Sequence, residues 1–161
     1  AAVGGDSMGG HFSAIIAQEF RRTKPPALQL LIYPAVDFMS ETPSVHDFAD
    51  AWPLTAETVD YFMKQYLPDN VDPSDPRISP IRTQDLRGIA PALIYTAGFD
   101  MLLDQGAAYA ERLSDAGVKA QYHCFENLPH GFVAFPGAAP AAEQAIRKIA
   151  RESAAALKGQ S

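Results

Sequence analysis

The pentapeptide Gly5-Asp6-Ser7-Met8-Gly9 has the spacing G-x-S-x-G, which joins a strand to a helix through a sharp bend. Such a bend pushes the serine side chain out at the top of a parallel sheet, and its glycines let the backbone fold tightly beneath. The neighbouring residues agree. An apolar stub, Ala1-Ala2-Val3, comes before the bend, and Phe12, Ile15, Ile16 and Phe20 follow it on one helical stripe. The spacing predicts a helix over residues 8–22 that stops before Lys24-Pro25-Pro26.

A serine hydroxyl is a poor nucleophile until a base takes its proton, and an imidazole base needs a carboxylate to fix its tautomer. The run Pro91-Ala92-Leu93-Ile94-Tyr95-Thr96-Ala97 reads as a buried strand, with Gly98-Phe99-Asp100 leaving its C-terminal end. Ligands and catalytic groups of parallel sheets collect at such ends. Residues 119–125 read as another strand, followed by a loop over residues 126–132 that holds His130 between Pro129 and Gly131. Serine, aspartate and histidine therefore each stand past a strand end, in an order that serine hydrolases use.

Other polar residues compete less well for these roles. His11 lies one helical turn past Ser7 and reads as a helix-face residue; His46 reads as an exposed loop residue and His123 as part of a strand. Asp6 adjoins Ser7 and cannot easily reach a base held on another loop, and Asp104 reads as the cap of the helix after Asp100. The four histidines show no H-E-x-x-H spacing, and no G-x-G-x-x-G loop occurs, so neither a metal nor a nucleotide cofactor is expected.

The rest of the chain alternates strand and helix. A strand over residues 27–33 ends at Pro34, which cannot donate to a ladder. Residues 37–85 change to a texture of Pro, Asp, Ser and aromatics. Within them Thr55 reads as an N-cap for a helix whose Val59, Phe62, Met63, Tyr66 and Leu67 share a face, a stripe that reads as ordinary core packing. A helix near residues 104–116 ends at Gly117 as a left-handed cap, and Pro140 opens a final helix bearing Ile146, Ile149 and Leu157. This order predicts an α/β fold, a parallel sheet flanked by helices.

Composition sets limits on partners. Hydrophobic content of 47% with 20% charged residues disfavours disorder and coiled coil. A formal charge of -6, with no basic cluster beyond Arg21-Arg22-x-Lys24, argues against nucleic acid as a partner. No apolar run is long enough to span a bilayer, and a cytoplasmic location is the expectation. The single Cys124, in a strand, reads as a small buried hydrophobe and allows no disulfide within one chain.

Taken together, these motifs make the chain resemble the bacterial hormone-sensitive-lipase-like esterases of the α/β-hydrolase fold. The resemblance rests on Gly5-Asp6-Ser7-Met8-Gly9-Gly10, on residues 100–106 (DMLLDQG), on His130-Gly131-Phe132, and on Tyr33-Pro34 and residues 75–80 (DPRISP). It implies a partial α/β-hydrolase fold over residues 1–161, with residues 37–85 as a cap-type insertion over the acyl pocket. It further implies Ser7 as nucleophile, Asp100 as triad acid and His130 as general base, acting on short to medium acyl esters without a cofactor. Met8 stands where that family more often has alanine, and Gln105 where glutamate is usual. Phe38, Phe99, Phe132 and Phe135 are candidate pocket walls.

That family carries a His-Gly-Gly-Gly-type loop upstream of the nucleophile, which supplies most of its oxyanion hole. The sequence holds no such loop, so the N–H of Met8 is the expected oxyanion donor, and the chain reads as the C-terminal portion of a longer enzyme. Two alternatives stay open. One is a silent fragment or subunit whose apolar sheet edge before Ser7 recruits a complementary N-terminal segment or a second copy. The other is a triad that cleaves amide, peptide or lactone bonds, because fold does not fix substrate.

Overall fold

The structure is a computed structural model that describes residues 1–159; Gln160 and Ser161, the end of the expected 1–161 domain, lie outside the described residues. Four strands, β1 (Val3–Asp6), β2 (Gln29–Ile32), β3 (Ala92–Phe99) and β4 (Ala120–Pro129), form one parallel sheet in the order β1-β2-β3-β4. Helix α1 (Met8–Glu19) connects β1 to β2, α4 (Leu103–Asp115) connects β3 to β4, and α5 (Pro140–Lys158) follows β4. Between β2 and β3 lie the short α2 (Pro43–Asp47) and α3 (Ala56–Tyr66).

The interior position of β3 explains its sequence. Its first six residues, Ala92 to Ala97, are all buried, as expected of a strand covered on both faces. Alternate residues then feed two cores. Ile94 joins Ala14, Ala17, Tyr109 and Leu113 on one face, whereas Leu93 and Tyr95 join Leu28, Phe132, Ala145 and Ile149 on the other. Burial on both faces is thus what that short apolar run led to expect.

The boundary of α1 and the burial of Cys124 differ from the sequence expectation, and helix faces that the sequence leaves open are settled. Helix α1 stops at Glu19, three residues short of Arg22, and its apolar stripe does not face the sheet. Gly10, His11, Ser13, Ala14 and Ala17 are buried instead, while Phe12, Ile16 and Phe20 are 40–50% exposed. The cause is close approach: a Cβ on Gly10 would lie 2.9 Å from the Pro34 Cβ, so only small side chains fit between helix and sheet there. In α5, Ile149 is buried but Leu157 is exposed. Cys124 is half-buried rather than buried.

Thr55 caps α3 by accepting the Thr58 N–H at 3.2 Å, and Gly117 takes a φ of 77° after α4. Helix α3, however, has no buried residue, so its stripe is not core. Strand β4 runs on to Pro129, through residues expected to form a loop. Near its end the register slips. Ala97 faces Phe125 and Phe99 faces Pro129, so two steps along β3 match four along β4. Phe99 and Pro129 finish side by side, and the residues that follow them, Asp100 and His130, emerge together.

Candidate active site

Ser7 lies between β1 and α1 at φ 53° and ψ -119°, a left-handed region that few side-chain-bearing residues occupy. Its N–H donates to Ile32 at 2.9 Å, which ties the bend to β2, and its carbonyl accepts the His11 N–H at 3.0 Å, which starts the helix. The bend is tight where Gly5 passes the helix: a Cβ there would lie 2.5 Å from the Gly9 carbonyl carbon. A Cβ on Gly9 would meet nothing within 4 Å, so the second glycine of the pentapeptide needs no room of its own.

Asp100, 1% exposed, leaves the end of β3 with Oδ1 accepting the Leu102 N–H at 2.9 Å. Its Oδ2 stands 2.7 Å from His130 Nδ1, and His130 Nε2 stands 3.0 Å from Ser7 Oγ. A carboxylate only accepts, so Nδ1 carries the proton and Nε2 is left to accept from the serine hydroxyl. Gly131, at φ 77°, turns the chain directly after His130. Three residues from three strand ends therefore form one hydrogen-bonded relay from carboxylate to hydroxyl. Chemically, that arrangement can take a proton from an attacking alcohol and hold the resulting imidazolium against a buried carboxylate.

The relay opens on a cavity of about 860 Å³ lined by Ser7, Met8, Phe38, Val59, Met63 and His130, among others. Phe62 and Tyr66 also line it, so the stripe of α3 serves as a cavity wall. The N–H of Met8 sits at the first position of α1, where no intrahelical acceptor precedes it.

Of the four phenylalanines expected as pocket walls, Phe38 alone lines this cavity. Phe132 is 1% exposed in the core, with its ring 5.2 Å from those of Tyr33 and Phe125, because the turn after Gly131 points it inward. Phe99, at the end of the sheet, packs edge-on against Phe48 at 6.1 Å, and Phe135 lies 6.1 Å from Trp52. These three are not among the cavity-lining residues.

Rival groups have other work. Asp104 lies inside the first turn of α4 rather than capping it, and its Oδ2 accepts the Ser44 N–H at 2.8 Å, tethering α2. Asp6 Oδ2 accepts the Tyr33 hydroxyl at 3.3 Å. His46 is exposed, 3.6 Å from Glu41. His11 is fully buried: Nδ1 donates to the Ala35 carbonyl at 2.9 Å and Nε2 accepts from the Tyr66 hydroxyl at 3.3 Å, and burial lowers its basicity below the usual 6.5.

Two residues of motifs that carry the resemblance, Tyr33 and Gln105, support the site in ways the motifs do not state. Tyr33, at φ 35°, lays its ring 4.5 Å from the His130 ring, and burial with the nearby Asp6 carboxylate pushes its hydroxyl pKa upward. Gln105, in α4, accepts the Val36 and Asp37 N–H groups on Oε1 at 2.7 and 2.9 Å, which pins the segment carrying Phe38. Among the described residues no cluster of three or more metal-binding side chains occurs, and no helix is long and apolar enough to cross a membrane.

A family profile described as the alpha/beta hydrolase fold matches residues 1–134. Carboxylic ester hydrolase LipN of Mycobacterium tuberculosis (strain ATCC 25618 / H37Rv) is 44% identical over 139 residues, covering 82% of this chain and 37% of that protein. An ethyl acetate hydrolase of Pseudomonas putida is 38% identical over 135 residues, covering 82% of this chain and 42% of that protein. Among solved structures, a thermophilic and thermostable carboxylesterase cloned from a metagenomic library superposes with a TM-score of 0.90 at 34% identity. That alignment covers 97% of this chain and 54% of the other. A Pyrobaculum calidifontis esterase gives a TM-score of 0.87 at 36% identity, covering 93% and 50%. The chain thus spans about two fifths of the length of the two curated relatives.

Proposed function

The chain belongs to the hormone-sensitive-lipase-like esterases of the α/β-hydrolase fold, and from that membership we propose that it supplies the catalytic triad of a serine carboxylic ester hydrolase. The observation that carries the proposal is the relay from Asp100 through His130 to Ser7, at 2.7 and 3.0 Å. His130 Nε2 takes the Ser7 proton as Oγ attacks the ester carbonyl, and the Asp100 carboxylate holds the ring and stabilises its positive charge. His130 then protonates the leaving alcohol, and afterwards activates the water that releases the acid from the acyl-enzyme.

The Met8 N–H is one donor to the developing oxyanion. A single donor of this kind is worth about 2.7–4 kcal/mol of the barrier, so its neighbours matter greatly to the rate. The apolar walls formed by Phe38, Val59 and Met63 suit a short to medium acyl chain. Replacing Ser7 by alanine is expected to reduce p-nitrophenyl ester hydrolysis to background in the enzyme containing this segment. Equal turnover in that variant removes Ser7 from the mechanism.

One feature favours an added requirement. Among the described residues strand β1, which leads into Ser7, has a neighbour on one side only, and α1 after it exposes Phe12, Ile16 and Phe20. We propose that this surface is met by a complementary N-terminal segment or by a second copy of the chain, and that full activity depends on that contact. Ester hydrolysis by the polypeptide alone, compared with hydrolysis after adding the N-terminal half of a relative, tests it. Undiminished activity in a monomer refutes the requirement.

A further inference from the structure

Of the polar side chains lining the cavity beside Ser7, two are buried among the described residues: His130 and Gln105, the latter 4% exposed. Both ring nitrogens of His130 are engaged, by Asp100 and Ser7. Gln105 is engaged on its oxygen alone. Oε1 accepts from the Val36 and Asp37 N–H groups, and only a carbonyl oxygen can accept, so the orientation of the carboxamide is fixed. The amide nitrogen is then left with two N–H donors and no protein partner, and it is not among the side-chain atoms fully sealed from solvent. Gln105 itself is one of the residues that line the cavity. A buried donor left unsatisfied is costly, and an apolar ligand that expelled water from the cavity would leave it so.

We propose that Gln105 is a specificity residue whose Nε2 donates to a neutral oxygen acceptor (an ether, ketone or hydroxyl) in the part of the ester that fills the cavity. The substrate class is therefore an oxygen-bearing ester in preference to a plain alkanoate. This rests on the hydrolase reading for its kinetic consequence but not for the binding contact. Because the carboxamide is held by backbone donors, its position is set before any ligand arrives, and the discrimination it gives is of the kind a site built to hydrogen-bond achieves.

The test moves a single oxygen along the chain. Binding of hexan-2-one, and of ether analogues with one chain methylene replaced by oxygen, is followed by NMR on the 15N-labelled polypeptide. The Gln105 side-chain amide is assigned by its disappearance in Gln105→Glu. The expected result is a shift of that amide by at least one oxygen-bearing ligand, with affinity about tenfold above that of an alkyl ketone lacking the chain oxygen. In Gln105→Glu, whose carboxylate can still accept from Val36 and Asp37, that preference should vanish; Gln105→Met serves if the buried charge unfolds the protein.

In parallel, p-nitrophenyl hexanoate is compared with its oxa analogues. A tenfold ratio in kcat/KM that is lost on substitution extends the proposal to turnover. An amide shift without any ester hydrolysis, even after the N-terminal half of a relative is added, leaves the binding role standing and defeats the hydrolase reading. Ligands that perturb other cavity residues but not the Gln105 amide overturn the proposal, and so does the absence of binding by every ligand.

Discussion

Ser7 and Tyr33 are the non-glycine residues with positive φ among those described, and they sit on neighbouring strand ends, one bearing the hydroxyl and the other packing on the imidazole that faces it. Conformations of this kind cost roughly 1–3 kcal/mol each and persist where surrounding structure over-determines them. At Ser7 the determinant is steric, since Gly5 lets the strand pass against the Gly9 backbone. Gly5→Ala is expected to destabilise the fold on the order of 3 kcal/mol, whereas Gly9→Ala should hold stability or raise it by up to about 1 kcal/mol. Urea midpoints of the two variants check this contrast. Asp100→Asn should leave the fold in place but cost about 10⁴ in kcat, because the amide favours the wrong tautomer of His130.

His11 adds a pH dependence at the same scale. Its ring is buried neutral, so below about pH 6.5 the unfolded chain binds a proton there that the folded protein accepts only at lower pH. The unfolded state binds more protons in that window, and stability therefore falls as pH drops through it. The urea midpoint measured from pH 7.5 to 5 should decline less steeply in His11→Gln than in the unsubstituted protein. Identical slopes would show that His11 carries none of the dependence.

At the scale of elements, the sequence was most legible where one physical demand dominated. The apolar run of β3 read as a buried strand, and Ser7, Asp100 and His130 were each found past a strand end, where they now stand within hydrogen-bond reach. For helix α1, periodicity reports a stripe without saying which side meets the sheet. Its large apolar residues point outward, and the small ones pack. Phe12→Ser and Ile16→Ser should each change stability by less than about 0.5 kcal/mol, while Ala17→Leu should cost about 1–3 kcal/mol by overpacking. Thermal unfolding of the three variants separates the two faces. The extension of β4 and the work of Gln105 were illegible for another reason: both depend on contacts with distant segments, at Phe99 and at Val36 and Asp37, that no local pattern encodes.

For the whole molecule, β1 and β4 are the two edges of the sheet among the described residues, and α1, which follows β1, exposes Phe12, Ile16 and Phe20. An unpaired strand beside an apolar helix face promotes association. Sedimentation of the polypeptide from about 1 to 100 μM should show a mass that rises with concentration, and Phe12→Lys with Ile16→Lys should suppress the rise. A constant monomer mass would mean that this surface is tolerated in water as it stands.

Ser7 and His130 are separated by 123 positions, and the bond between them closes only when β1, β2, β3 and β4 have all found their register. Loop entropy puts such a distant closure late in assembly. A spectroscopic reporter on that one imidazole–hydroxyl contact would accordingly act as a clock for the last stage of folding, silent until the final ladder locks.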